Sequence, residues 1–252
     1  MTRLLLFSAL GLVSVSSVFQ ATAGRAEPAS ASAVRAVVEG AALRGAQGII
    51  FDDRDVLHVA NLDGRQIVVM DPETGEILDT FGPEIGVDVP DDLIFGPDGS
   101  LYWTALLLGE VGRLAPDGTV TTQFVAPGVN PITFSDDGRL FTSQCYAGET
   151  VFEISPELDV LPREVISFPG TSCGLNGMDW GPDGHLYGPR QLVGDVVRVD
   201  VDRGTFEVAA SCLPVRAPSS LTTKSGCMCS MHIVARSCAS IGIPASPSSL
   251  LG

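Results

Sequence analysis

The chain has 252 residues, room for one β domain with a full core or for one repeat array. Its 30 acidic and 15 basic side chains give a formal net charge of −15, which argues against nucleic acid and anionic membrane surfaces, since both need a basic footprint. The 28 glycines and 17 prolines, spread without low complexity, call for many turns between short strands and exclude a long-helix protein.

The N-terminus reads as a secretory signal over residues 1–23. Arg3 supplies the charged start, Leu4 to Phe19 the apolar run, and Ala21-Thr22-Ala23 a small-residue cleavage site before Gly24. The run is short and carries several serines, so no stable membrane insertion is expected, and the product is expected to be secreted or periplasmic. Residues 24–33, mostly Ala and Ser, read as a flexible leader. In the stretch from Val34 to Leu43, the strand formers Val34, Val37 and Val38 offer a candidate closing strand.

One phrase then recurs: a polar residue, an apolar-x-aromatic strand, a turn, and a Leu-aromatic strand. The first copy runs Gln47-Gly48-Ile49-Ile50-Phe51, then Leu57-His58-Val59, and closes at Asp71-Pro72-Glu73-Thr74-Gly75. The second has Asp91-Asp92-Leu93-Ile94-Phe95, Asp98-Gly99, Leu101-Tyr102-Trp103 and Gly109-Glu110-Val111. The third has Asn130-Pro131-Ile132-Thr133-Phe134, Asp137-Gly138 and Leu140-Phe141. The fourth has Asn176-Gly177-Met178-Asp179-Trp180, Asp183-Gly184, Leu186-Tyr187 and Gly194-Asp195-Val196-Val197-Arg198-Val199-Asp200.

The anchoring aromatics at 51, 95, 134 and 180 recur at roughly 40–45 residues, the length of a four-stranded propeller blade. Alternation within each unit has period two, and Asp-Gly stands where a tight hairpin needs positive φ. The expected fold is therefore an all-β β-propeller over residues 34–208, with four recognisable blades and an incomplete ring.

Residues 209–252 break this grammar. After Glu207 there is no Asp or Glu, and Ser, Ala, Pro and Cys dominate. Shifted by one base, the stretch Thr222–Ile241 can encode D-D-E-E-R-L-Y-V-L-D-A-H-S-G-E-V-V-R-V-D, a fifth copy, so the tail is read as a frame-shifted blade. Of six cysteines, Cys212, Cys227, Cys229 and Cys238 crowd this tail, which argues against a disulfide framework. Cys145 and Cys173 are either one bridge or two small buried thiols.

Aligning the copies gives a column four residues before each aromatic: Gln47, Asp91, Asn130 and Asn176. Equivalent positions in successive blades converge on the central channel, and oxygen donors there suit a hard cation such as Ca2+. The competing reading is that all four are turn residues. His58 and His185 fall in or beside the Leu-aromatic strand, where a partly buried structural role is expected.

The copies over residues 40–208 resemble the senescence-marker-protein/gluconolactonase/luciferin-regenerating-enzyme-like family, six-bladed propellers that use one divalent metal to hydrolyse sugar lactones. The resemblance implies metal contacts at Gln47, Asn130 and Asn176, substrate contacts at Asp91 and Asp92, and a small-molecule substrate. Gln47 stands where the family has Glu, and Asn176 where it has the Asp that is both ligand and base. Two amides lower the charge of the site and remove the group that would activate water, leaving Asp91 or Asp92 to take over the chemistry with Asn176 beside them. Three functions compete: a metal-dependent lactone or ester hydrolase, a non-catalytic propeller binding a small ligand or protein, and a lyase resembling the streptogramin-inactivating propellers. The lyase class needs a channel histidine, which neither His58 nor His185 is placed to supply.

Overall fold

The computed structural model of the chain describes residues 42–211. The expected signal and leader, the expected tail beyond residue 211, and most of the candidate closing strand lie outside the described residues.

Within these bounds the chain folds as four antiparallel four-stranded sheets, each a simple meander in sequence order. The first comprises β1 (Ala46–Phe51), β2 (Leu57–Asn61), β3 (Gln66–Met70) and β4 (Ile77–Phe81). The second comprises β5 (Pro90–Phe95), β6 (Leu101–Ala105), β7 (Glu110–Leu114) and β8 (Val120–Phe124). The third comprises β9 (Val129–Phe134), β10 (Leu140–Gln144), β11 (Thr150–Ile154) and β12 (Arg163–Ser167). The fourth comprises β13 (Asp179–Trp180), β14 (Leu186–Arg190), β15 (Asp195–Asp200) and β16 (Thr205–Ser211). This is the all-β propeller architecture expected from the repeat. The outer strand β16 runs to Ser211, pairing Ser211 with Asp195, so the fourth blade reaches three residues past 208. No helix among the described residues is long and apolar enough to cross a membrane.

The hairpin joining the first and second strands is the same in every blade. Gly99, Gly138 and Gly184 take φ of 81°, 82° and 73°, and Asp55 fills the equivalent place in the first blade at φ 59°. Aspartate is among the few side chains that tolerate the left-handed region, which is how the first copy turns without its glycine.

Neighbouring blades pack face to face. Ala60 and Ile67 of the first blade meet Leu93, Leu101 and Trp103 of the second. Tyr102 and Val111 on the second blade's far face meet Ile132, Leu140 and Ile154 of the third. Phe141 and Val151 meet Leu175, Leu186, Val197 and Val199 of the fourth. Period-two alternation thus sends successive residues of one strand into two different interfaces, and both must be apolar. Close approach fixes small residues locally: a Cβ on Gly112 would lie 2.1 Å from the Trp103 ring.

Candidate functional site

The first strands of three blades carry the same defect. Ala46 pairs with Asn61 and Ile49 with Val59, so three steps on β1 match two on β2. Pro90–Ala105 with Leu93–Trp103, and Val129–Gln144 with Ile132–Thr142, repeat that offset. Each is a β-bulge, a device that re-aims side chains at the rim of a sheet. The bulged residues are Gln47-Gly48, Asp91-Asp92 and Asn130-Pro131, so three members of the polar column each occupy a bulge. Asn176 precedes the short β13 and is held by its N–H donating to the Pro189 carbonyl at 3.1 Å.

Adjacent members of the column are tied across the blade interfaces. A Cβ on Gly48 would lie 2.8 Å from both the Cα and Oδ1 of Asp92, so the first and second bulges abut. The Thr104 hydroxyl donates to the Asn130 carbonyl at 2.6 Å and accepts from the Asp92 N–H at 3.0 Å. The Asp92 carboxylate accepts the Ile132 N–H at 3.1 Å, joining the second bulge to the third. One blade further, the Ser143 hydroxyl accepts the Leu175 N–H at 2.9 Å, next to Asn176. Thr104 and Ser143 occupy the same place in their strands, one residue before the end, and neither was singled out from the sequence. A hydroxyl at the same penultimate place in two second strands is the signal that could have found them.

The four column residues differ in exposure. Asp91 and Asn176 are buried, Asn130 is half-buried and Gln47 is exposed. Asn176 donates its amide to Gln191, whose carbonyl also receives the Tyr146 hydroxyl at 3.4 Å. Asp91 stands apart. Nothing among the described residues hydrogen-bonds its carboxylate, and burial, with the charge of Asp92 beside it, pushes its pKa up to about 7. A carboxyl poised near neutrality has the chemistry of a proton acceptor or donor. Asp92 is differently employed: its oxygens accept backbone N–H groups of Leu93 and Ile132, which makes it a strut between inner strands and the source of the charge that perturbs Asp91.

Cys145 and Cys173 form a disulfide across the third and fourth blades, three residues before Asn176. Around it the Glu149 carboxylate accepts N–H groups from Gly170, Thr171 and Ser172, so the loop leading to Asn176 is held at both ends. Of the two alternatives left open by the sequence, the bridge is the one formed.

The histidines lie away from the column. His58 is buried edge-on against Phe95 at 5.2 Å, with Nε2 3.7 Å from Asp52 at the opposite end of the inner strand. His185 sits in the β13–β14 turn and meets Arg198 at 2.9 Å. A cleft of about 400 Å³ also opens at that turn end, lined by Phe95, Phe134, Asp136 and Asp137 among others. It contains no member of the column. Among the described residues there is no group of three or more His, Cys, Asp or Glu arranged to hold a metal.

No family model matches the chain. Among curated proteins, virginiamycin B lyase of Nocardia farcinica (strain IFM 10152) is 29% identical over 175 residues, which cover 64% of this chain and 61% of that protein. Among solved structures, virginiamycin B lyase from Staphylococcus aureus superposes with a TM-score of 0.58 at 16% identity, over 68% of this chain and 57% of the other. A catalytically inactive histidine-to-alanine form of that lyase with quinupristin gives 0.57 at 17% identity, over the same shares. A gluconolactonase from Xanthomonas campestris gives 0.53 at 23% identity, over 66% of this chain and 62% of the other. The chain thus spans less than two thirds of the length of each. These likenesses establish the propeller fold, which lyases and gluconolactonases share.

Proposed function

We propose that this chain is the scaffold of a small-molecule propeller enzyme that opens lactones or related esters at the Gln47, Asp91, Asn130 and Asn176 ring. The observation that carries this reading is Asp91, a buried carboxyl without a hydrogen-bond donor and with a pKa near 7. As a carboxylate it takes a proton from an attacking water, and as the acid it returns that proton to the leaving alkoxide of the ring. The side-chain amides of Gln47, Asn130 and Asn176 supply N–H donors for the developing oxyanion and carbonyl oxygens for substrate hydroxyls. Burial raises the pKa of Asp91, and the charge of Asp92 beside it adds to the rise.

A divalent cation, Ca2+ by the resemblance, belongs to the same ring. Gln47, Asn130 and Asn176 would be its neutral oxygen ligands, a donor set without charge that suits weak binding of a hard cation. When bound, it would supply charge stabilisation at the ester oxygen.

The likeness to a lyase raises a second reaction, in which Asp91 would have to stand in for the histidine that class uses. A lyase needs a base that removes a carbon-bound proton, and Asp91 has the pKa for that too. Turnover of a lactone panel in H₂18O separates the two: hydrolysis places 18O in the product acid, whereas elimination leaves an unsaturated product without label. In either case Asp91→Asn is expected to abolish turnover. Wild-type activity that persists in Asp91→Asn, or that does not titrate near pH 7, would refute the role of Asp91. Titrating Ca2+, Mn2+ and Zn2+ against the melting temperature tests the cation, and no shift with any of them removes it. The disulfide supports a secreted or periplasmic location, because such bonds persist in oxidising compartments.

A further inference from the structure

Consecutive blades repeat one ring contact. The second residue of each second strand packs its ring against the aromatic that ends the next inner strand: His58 on Phe95 at 5.2 Å, Tyr102 on Phe134 at 5.1 Å, and Phe141 on Trp180 at 5.3 Å. Tyr187 is the fourth member of the series, and no ring among the described residues follows it. On its side of the fourth blade, Val196 and Arg198 are half-buried, while Val197 and Val199 on the other side are fully covered by the third blade.

We propose that this Tyr187 face seats a fifth blade, encoded by the nucleotides that specify residues 219–241 read one base out of phase. In that phase each codon takes its first base from the end of the preceding codon and its other two from the start of the residue's own. Met228 follows a cysteine, whose codons end in U or C, so it can read only as tyrosine or histidine. Cys229 follows the single methionine codon and can read only as valine; Cys227 can read only as leucine, methionine or valine. The triplet Cys227-Met228-Cys229 therefore becomes an apolar, tyrosine-or-histidine, valine strand. Its nearest counterpart is Leu57-His58-Val59, and its ring stands in the place of His58, Tyr102, Phe141 and Tyr187.

The ion pairs give a second, independent register. Asp98 pairs with Arg113, and Asp183 with Arg198, each across a separation of 15 residues from the hairpin turn to the third strand. In the shifted phase Ala239 can read only as arginine or cysteine, and Lys224, the same distance before it, reads as glutamate in one of its few options. Each inner-strand aromatic stands six residues before the leucine of its second strand, and the codon of Leu221, six before Cys227, admits phenylalanine in the shifted phase, the ring that Tyr187 lacks.

The coding DNA and the native protein test this. The shifted phase is expected to stay open through codons 219–241, and the intact mass of protein purified from its source is expected to match the shifted reading. Nitration of that protein should spare Tyr187 along with Tyr102, which is 1% exposed, and modify Tyr146, which is 62% exposed. A stop codon in the shifted phase, or a mass that matches the in-phase tail, overturns the proposal. So does nitration of Tyr187 as fast as Tyr146, and so does protection of Tyr187 that vanishes on dilution, since that assigns the face to a second copy of the chain.

Discussion

A carboxyl buried without a donor costs folding energy whenever it carries charge, and Asp91 is such a group. Its folded pKa, about 7, lies above the ordinary aspartate value of 3.8. The stability linked to this proton is therefore complete below about pH 4 and is lost as pH rises toward and through 7. At roughly 1.4 kcal/mol for each pKa unit the full loss is about 4 kcal/mol. Asp91→Asn should thus abolish turnover and yet raise the melting temperature at pH 8 by several degrees, with little effect at pH 4. Thermal melts of both proteins at the two pH values check it, and equal melting temperatures at pH 8 would mean that Asp91 is not held as described. His58 acts at the other end of the pH scale. Burial against Phe95 holds its pKa below the usual 6.5, only partly offset by Asp52, so the folded state prefers the neutral ring. That stability is present above about pH 6.5 and is lost as pH falls through the lowered value. His58→Phe should flatten the acid limb of the stability profile between pH 7 and 5, as read by urea midpoints.

At the scale of the elements, the column is held by hydroxyls and a carboxylate that cross between blades. Thr104→Val keeps the shape but leaves the Asn130 carbonyl and the Asp92 N–H without their partner, a cost of about 1–3 kcal/mol. Asp92→Asn removes the charge that raises Asp91 while keeping a carbonyl for Ile132, so it should shift the activity profile to lower pH more than it lowers stability. A pH–rate profile alongside a melt distinguishes the two effects. The Cys145–Cys173 bridge closes a sequence separation of 28 residues, for which chain entropy gives about 3–4 kcal/mol. Replacing both cysteines by serine should lower the melting temperature by that equivalent. The sequence made much of this legible: the aromatic anchors end the first strands of the four blades, and Asp-Gly turns three of the four hairpins. What it hid was pairwise. A bulge is a mismatch between two strands, so Gln47, Asp91 and Asn130 look like ordinary strand residues until β2, β6 and β10 are set beside them. The division of labour between Asp91 and Asp92 is equally invisible in adjacent identical letters, because it depends on which carboxyl meets the next blade's N–H.

At the scale of the molecule, the four described blades leave apolar groups of the first inner strand exposed. Leu93 and Ile132 are 5% and 4% exposed, each beneath the preceding blade, whereas the equivalent Ile49 is 47% and Phe51 is 51% exposed. Contiguous apolar surface of this kind favours association, and unpaired sheet faces add to it. Opposing it is the formal net charge of −15, which repels copies over a distance set by ionic strength, about 30 Å at 0.01 M salt and 8 Å at 0.15 M. The balance gives a definite sign. The full chain should sediment as smaller species at low salt and associate as salt is raised, since screening weakens the repulsion and leaves apolar contact intact. Phe51→Ser with Ile49→Ser should abolish the salt-driven association at an unchanged far-ultraviolet circular dichroism spectrum. Sedimentation velocity at the two ionic strengths measures both, and association that weakens as salt is raised would place charge pairing, rather than the Ile49–Phe51 surface, at the contact.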